Sequence, residues 1–313
     1  MRVCVTGAGG FAASWLVKLL LSKGFIVHGT VRDPSDEKYA HLKRLENATQ
    51  NLILYKADLL DYVSIASAVA GCEGVFHVAS PVPSSKVPNP EVLLEPAVTG
   101  TKNVLKACLE AKVKRVVVVS SGSAIFMKPD WSKGEIMDES CWSDELYCRT
   151  TENWYHLSKT VAEREALDFA SKNALDVVTV CPTLIVGPML QSTINASSLV
   201  LINLLKGICE TVENTLRNIV DVRDLADALL LVYENKEASG RFIASSHVIN
   251  TRDLIELLKR LFPNYSYPKK IVEVEEGKVF SSRKLESLGW KFRPLEETLK
   301  DAVEYYQCAH LLE

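Results

Sequence analysis

Six short apolar runs, each parted from the next by a stretch of helical spacing, constrain the fold of this chain more than any other feature. Residues 3–6, 26–31, 52–56, 74–79, 115–120 and 177–181 are nearly continuous in Val, Ile and Leu. Strands of that composition are buried on both faces, as in parallel sheets covered by helices. Between them, residues 12–22, 62–70, 92–111 and 151–171 carry apolar side chains at i, i+3 and i+4. The alternation predicts an α/β fold, a doubly wound parallel sheet of the Rossmann type. Residues 1–186 form this domain. After Cys181 the prolines at 182 and 188 and the polar stretch 191–195 break the alternation. Residues 218–237, a strand NIVDV and a helix, are expected to return to the main sheet. Residues 187–217 and 238–313 then make a smaller α/β substrate domain.

The turn Thr6-Gly7-Ala8-Gly9-Gly10-Phe11-Ala12-Ala13 follows the first strand and opens the first helix. Small residues there let the backbone approach a pyrophosphate, and the helix N-terminus offers free N–H groups to the anion. A glycine-rich turn can also serve simply to join strand to helix; its position at the first strand–helix junction favours the phosphate reading. The second strand ends in Thr30-Val31-Arg32-Asp33, with Lys38 and Lys43 beyond. An acidic residue near this point holds the ribose of NAD, whereas a guanidinium suits the 2′-phosphate of NADP. Arg32 favours NADP(H); Asp33 faces the ribose instead if the strand runs one residue longer.

Tyr155 and Lys159 lie one helical turn apart on one face. A phenol of pKa about 10 exchanges protons poorly at neutral pH, and a nearby ammonium lowers that value. Ser121, at the end of the fifth strand, can donate a hydrogen bond to a substrate oxygen. The Tyr-x-x-x-Lys spacing alone is common on amphipathic helices; its order after the dinucleotide turn and a serine-ended strand carries the reading.

Taken together, these stretches resemble the extended short-chain dehydrogenases/reductases, and among them the plant cinnamoyl-CoA reductases and dihydroflavonol reductases. The carriers include VCVTGAGGFAASWLVKLLL (3–21), KADLLD (56–61), GVFHVASPV (74–82), DESCWSD (138–144), ENWYHLSKTVAE (152–163) and VDVRDLA (220–226). The resemblance implies NADP(H), with Arg32 and Lys38 on the 2′-phosphate, and a triad of Ser121, Tyr155 and Lys159. It implies cofactor contacts from Thr6, Gly7, Gly9, Gly10, Phe11 and Ala12, from Asp58 and Leu59 by the adenine, from Val78, Ala79 and Ser80 along the cofactor, from Tyr155 and Lys159 themselves, and from Pro182 and Thr183 near the nicotinamide. Ser123, Phe126, His156, Leu184 and Val200 are the candidate substrate residues.

Departures from the family bear on the substrate. Where thioester-reducing members carry His and Lys on the helix after Asn-Ala-Ser, and an Arg further on, this chain has Val200, Asn203 and Thr251. His156 stands where the family has a cysteine, so Cys148 lacks that partner. Phe126 replaces the Asn or Asp of dihydroflavonol reductases. The expectation is an NADPH-dependent reductase of a small aldehyde or ketone, phenylpropanoid-like or another plant specialised metabolite. The alternative is a hydroxycinnamoyl-CoA thioester reductase that holds CoA through Lys206, Arg217 or Arg252. Two other rivals share the fold: an NADP(H)-sensing regulator, which would not need both Tyr155 and Lys159, and a nucleotide-sugar epimerase or dehydratase, which usually needs a further carboxylate where Gly122-Ser123 stands.

Composition narrows the partners. A formal charge of −3 offers no basic field for nucleic acid or an anionic membrane. The eight cysteines form no Cys-x-x-Cys and no zinc-like spacing with His, so no metal is expected. The first strand, starting at Arg2, leaves no room for a signal peptide. A cytoplasmic monomer or weak homodimer acting on a small carbonyl compound is the expectation.

Overall fold

The computed structural model describes residues 1–82, 89–131, 134–274 and 277–312. The strands β1 (Arg2–Thr6), β2 (Ile26–Val31), β3 (Leu52–Lys56), β4 (Gly74–His77), β5 (Arg115–Val119) and β6 (Val177–Pro182) lie parallel in one sheet. Helices α1 (Phe11–Ser22), α2 (Tyr62–Val69), α3 (Glu91–Glu110) and α4 (Trp154–Asn173) connect and flank them. Side chains alternate between two apolar layers: Val3, Val5, Val117 and Val119 face α1, whereas Cys4, Val116 and Val118 face α2 and α3. Burial on both faces is why these strands read as unbroken apolar runs.

Beyond β6 the chain departs from the expected layout. β7 (Leu184–Val186) precedes helix α5 (Ala196–Lys206), and β8 (Leu216–Asp221) precedes helix α6 (Val222–Glu234). β8 does not enter the main sheet. It pairs in parallel with β7 and antiparallel with β10 (His247–Asn250) in a separate three-stranded sheet. Its helix α6 does return, packing Leu225, Leu229 and Val232 into the layer below α1. The sheet edge beside β6 is taken instead by β9 (Gly240–Ala244), giving the order β9-β6-β5-β4-β1-β2-β3. Residues 240–244, assigned by sequence to the smaller part, therefore complete the main sheet. The divergence begins at Thr183, whose N–H bonds to Ala244 O at 3.1 Å as the chain leaves β6.

The smaller lobe has its own core. Leu201, Leu205, Leu254, Leu258, Leu299 and Tyr306 bring together α5, α7 (Thr251–Leu261) and α8 (Leu295–Cys308) around the three-stranded sheet. Phe11 and Val186 belong to the same cluster, so the lobe packs against the start of α1. Among the described residues no helix is long and apolar enough to cross a membrane, and no group of three His, Cys, Asp or Glu could hold a metal.

Candidate active site

The C-terminal ends of β1, β4, β5 and β6 form the site, where ligands lie in doubly wound sheets. At the first of these ends, Gly7 has φ +66°, and a Cβ there would sit 3.0 Å from Ala79 Cβ. Glycine is required both by the left-handed backbone and by the closeness of the neighbouring strand end. A Cβ on Gly9 would strike the Tyr39 ring at 2.3 Å. Gly10 is the N-cap of helix α1, which has no side-chain cap and no acidic residue in its first turn. Its leading N–H groups are left for an anion, as a pyrophosphate site requires.

Thr6 ties the two central strand ends together. Its Oγ1 accepts the N–H groups of Val78 and Ala79 at 3.1 and 3.0 Å, which leaves its proton for His77 Nδ1 at 2.9 Å. His77 Nε2 then donates to Thr101 Oγ1 at 3.1 Å, and Thr101 donates to Ala97 O at 2.6 Å. Burial and then Lys159 hold His77 neutral, with its pKa down to about 3. The chain of donors fixes one tautomer.

At the end of β2, Arg32 is exposed. Asp33 is occupied locally, accepting from Ser35 N at 3.0 Å and Ser35 Oγ at 2.7 Å; these bonds hold its carboxyl below the usual range. One oxygen of the Asp33 carboxyl is thus engaged within its own turn. Lys38 is paired with Asp36 at 2.7 Å and lies 5.0 Å from the Tyr39 ring centroid. Asp58 accepts from Leu60 N at 2.9 Å, and Leu59 O receives Asn103 Nδ2 at 2.8 Å, fixing this turn against α3. Taken together, the open helix start, the glycine clearances and the exposed guanidinium fit NADP(H).

Ser121 lies two residues past β5 and accepts Ser123 N–H at 3.1 Å. Tyr155, in the first turn of α4, stands near enough for the Ser121 hydroxyl to act on its phenol. Burial raises the phenol above its ordinary value, and the Ser121 hydroxyl opposes this. Lys159 is 6% exposed, its Nζ lies 3.4 Å from Val119 O, and burial brings its ammonium down to about 8, opposed by Cys181 and Glu163. His77, Ala79, Ser80, Thr101, Ser120, Lys159 and Glu163 line one hollow here.

The five substrate candidates separate into two groups. Ser123, Phe126 and His156 stay with Tyr155; the His156 ring lies 6.2 Å from Tyr155 and 6.1 Å from Phe126. Leu184 and Val200 do not; they line a separate aliphatic hollow with Leu201, Leu254 and Leu299. Pro182 O accepts Gly122 N–H at 2.8 Å, placing Pro182 and Thr183 beside the serine turn. Cys148 is a buried free thiol pushed up to about 11 by burial. Two residues were missed by sequence reasoning. Glu163 sits four residues after Lys159 on the same helical face, a spacing that could have marked it, and its partner Arg241 lies on β9.

Residues 3–249 match the family described as NAD dependent epimerase/dehydratase family. Cinnamoyl-CoA reductase 2 of Medicago truncatula is 49% identical over 309 residues, covering 97% of this chain and 91% of that protein. The crystal structure of vestitone reductase from alfalfa superposes with a TM-score of 0.86 at 31% identity, covering 99% of each chain. The yeast methylglyoxal/isovaleraldehyde reductase complexed with NADPH does so at 0.83 and 26% identity, over 100% of each. With a Rossmann sheet, a cradle that fits NADP(H) and this kinship, the chain belongs to the NAD dependent epimerase/dehydratase family, in its extended short-chain dehydrogenase/reductase branch, and is an NADP(H)-dependent oxidoreductase.

Proposed function

We propose that this protein reduces a hydroxycinnamoyl-CoA thioester to the aldehyde, with Ser121, Tyr155 and Lys159 as its catalytic residues. The observation that carries the thioester over a small carbonyl is Arg217. It is half-buried on β8, and its Nε donates to Thr251 Oγ1 at 3.1 Å. Thr251 is the position where the resemblance implies an arginine, so a guanidinium is delivered to that place from the neighbouring strand. Among the described residues it has no carboxylate partner, whereas Arg252 pairs with Glu273. Near half identity to cinnamoyl-CoA reductases along 97% of the chain supports the same reading.

Gly7–Ala12 and Arg32 would hold NADPH, which would supply the hydride for the carbonyl carbon of the substrate. Tyr155 Oη gives a proton to the substrate carbonyl oxygen, while the Ser121 hydroxyl donates a hydrogen bond to it. For a thioester, Oη takes that proton back as the C–S bond breaks, the aldehyde C=O forms and CoA leaves as its thiolate. Lys159 stands behind the phenol and favours its ionised form at that moment.

The test is a panel with NADPH in which feruloyl- and coumaroyl-CoA are set against the matching aldehydes and ketones. Arg217→Ala is expected to lower kcat/KM for the thioester by about 10–100-fold, the value of a bond to a charged group, and leave aldehydes unaffected. A specific observation also favours small carbonyls: Val200 faces an aliphatic hollow where thioester reductases are implied to carry a cation. Aldehydes favoured by about 100-fold, with Arg217→Ala neutral, would establish that second reading.

Cofactor choice has its own check. Arg32→Asp is expected to weaken NADPH by about 2–3 kcal/mol, through loss of a charge-assisted contact and repulsion of the 2′-phosphate. NADH use should hold or improve. Equal losses with both cofactors would make Arg32 a structural residue.

A further inference from the structure

Lys159 is backed by a second buried charge. One turn further along α4, Glu163 is 1% exposed. Its Oε2 accepts Ser120 Oγ at 2.7 Å, and its Oε1 accepts Thr179 Oγ1 at 2.6 Å and Arg241 Nε at 2.8 Å. The Cys181 thiol lies 3.3 Å from Oε1. The end of β5, together with β6, β9 and α4, thus converges on one carboxylate. Arg241 is itself 6% exposed, stacks 3.5 Å from the Trp142 ring centroid and donates to Glu139 O and Cys141 O at 2.8 and 2.7 Å. Ser143, in the same loop, donates to Ser123 O at 2.7 Å and receives Met127 N–H at 2.8 Å. Glu163 is therefore bonded directly to the neighbour of Ser121, and through Arg241 to the loop that braces the serine turn.

We propose that Glu163 is a positioning residue for the reaction: its carboxylate keeps the Lys159 ammonium charged behind Tyr155 and sets the spacing between the tyrosine helix and the Ser121 turn. The proposal rests on the assignment of Tyr155 and Lys159, whose own failure shows separately as activity retained in Tyr155→Phe.

A buried ammonium without a counter-charge gives up its proton. The groups facing Lys159 are His77 from β4, Thr101 from α3, Ser120 after β5, Cys181 from β6 and Glu163 from its own helix, on which Tyr155 stands one turn earlier. His77 is neutral, and burial holds Cys181 as a thiol. Among these described groups, Glu163 supplies the negative charge. Its ion pair is with Arg241, at 2.8 Å, and its charge acts on Lys159 across the hollow they both line.

Glu163→Gln keeps the size of the side chain and removes the charge; Glu163→Asp keeps the charge. For each, kcat/KM with saturating NADPH is measured from about pH 6 to about pH 9.5, together with the thermal midpoint. Without the carboxylate the ammonium loses its proton at lower pH. The basic limb of the Gln variant is therefore expected to move acid-ward by about one unit, roughly a 10-fold loss on that limb, with activity at the acid end nearly kept. Asp should restore the limb. A uniform loss at every pH with the limb in place would mean a structural role and overturn the proposal, as would an unchanged profile. If the Gln variant does not fold, Thr179→Val decides. Removing one donor from Oε1 strengthens the pull of the carboxylate on Lys159, so the limb should move alkaline by about 0.3 unit or more. An unmoved limb, or one shifted acid-ward, overturns the proposal.

Discussion

Tyr155→Phe is expected to cut turnover by about 10²–10⁴-fold while NADPH binds almost as tightly as before. The ring stays beside His156 and only the proton-carrying oxygen is lost. Burial raises the phenol above its ordinary value, so at neutral pH it is protonated and ready to donate in the reductive direction. On the proposed assignment the cofactor rests mainly on the glycine turn, Arg32 and Lys159, which this change does not touch. Single-turnover kinetics together with a fluorescence titration of NADPH separate the two effects. If the variant kept more than about a tenth of the activity, less than the smallest loss that general acid catalysis accounts for, another group would be the acid.

Arg241→Met is expected to lose about 3–5 kcal/mol of stability, because it leaves the Glu163 carboxylate buried without its cation. The thermal midpoint should fall on the order of 10 °C. Two carbonyls, Glu139 O and Cys141 O, lose their donor as well. Pairing the change with Glu163→Leu removes the stranded charge, and an apolar pair of similar volume should recover much of the loss. Equal midpoints for the single and double variants would show that the cost lies in lost packing on Trp142 rather than in the uncompensated charge. Exposed pairs such as Lys269–Glu210 contribute little by comparison, since water screens them.

What was legible in the sequence was local. Val-rich strands declare themselves because both faces are apolar. The glycine turn shows because its clearances forbid side chains, and Tyr155 and Lys159 show because one helical turn sets their spacing. The strand Gly240–Ala244 was not legible for the opposite reason. Arg241 breaks its apolar run, and the carboxylate that makes its burial tolerable stands 78 residues earlier. β8 failed differently: NIVDV suits either sheet, and the choice depends on β7, which turns away at Thr183. Lys159 is legible as one helical turn from Tyr155, but the groups that share its hollow come from β4, α3 and the end of β5, which no spacing announces. Asp33 was ambiguous in sequence because its bonds to Ser35 are a matter of turn geometry, not residue type. Arg217 reaches Thr251 through strand pairing, which no sequence spacing encodes.

The late arrival of β9 also bears on how the chain is made. A ribosome adding about 5–20 residues per second finishes α4 well before Arg241 emerges, an interval of several seconds. During that time β6 is an open sheet edge, able to template pairing with another chain, and Glu163 has no guanidinium to meet it. The nascent Rossmann half is therefore exposed to misassembly at one defined edge. Closure of that edge and neutralisation of that charge come together in a single segment of five residues.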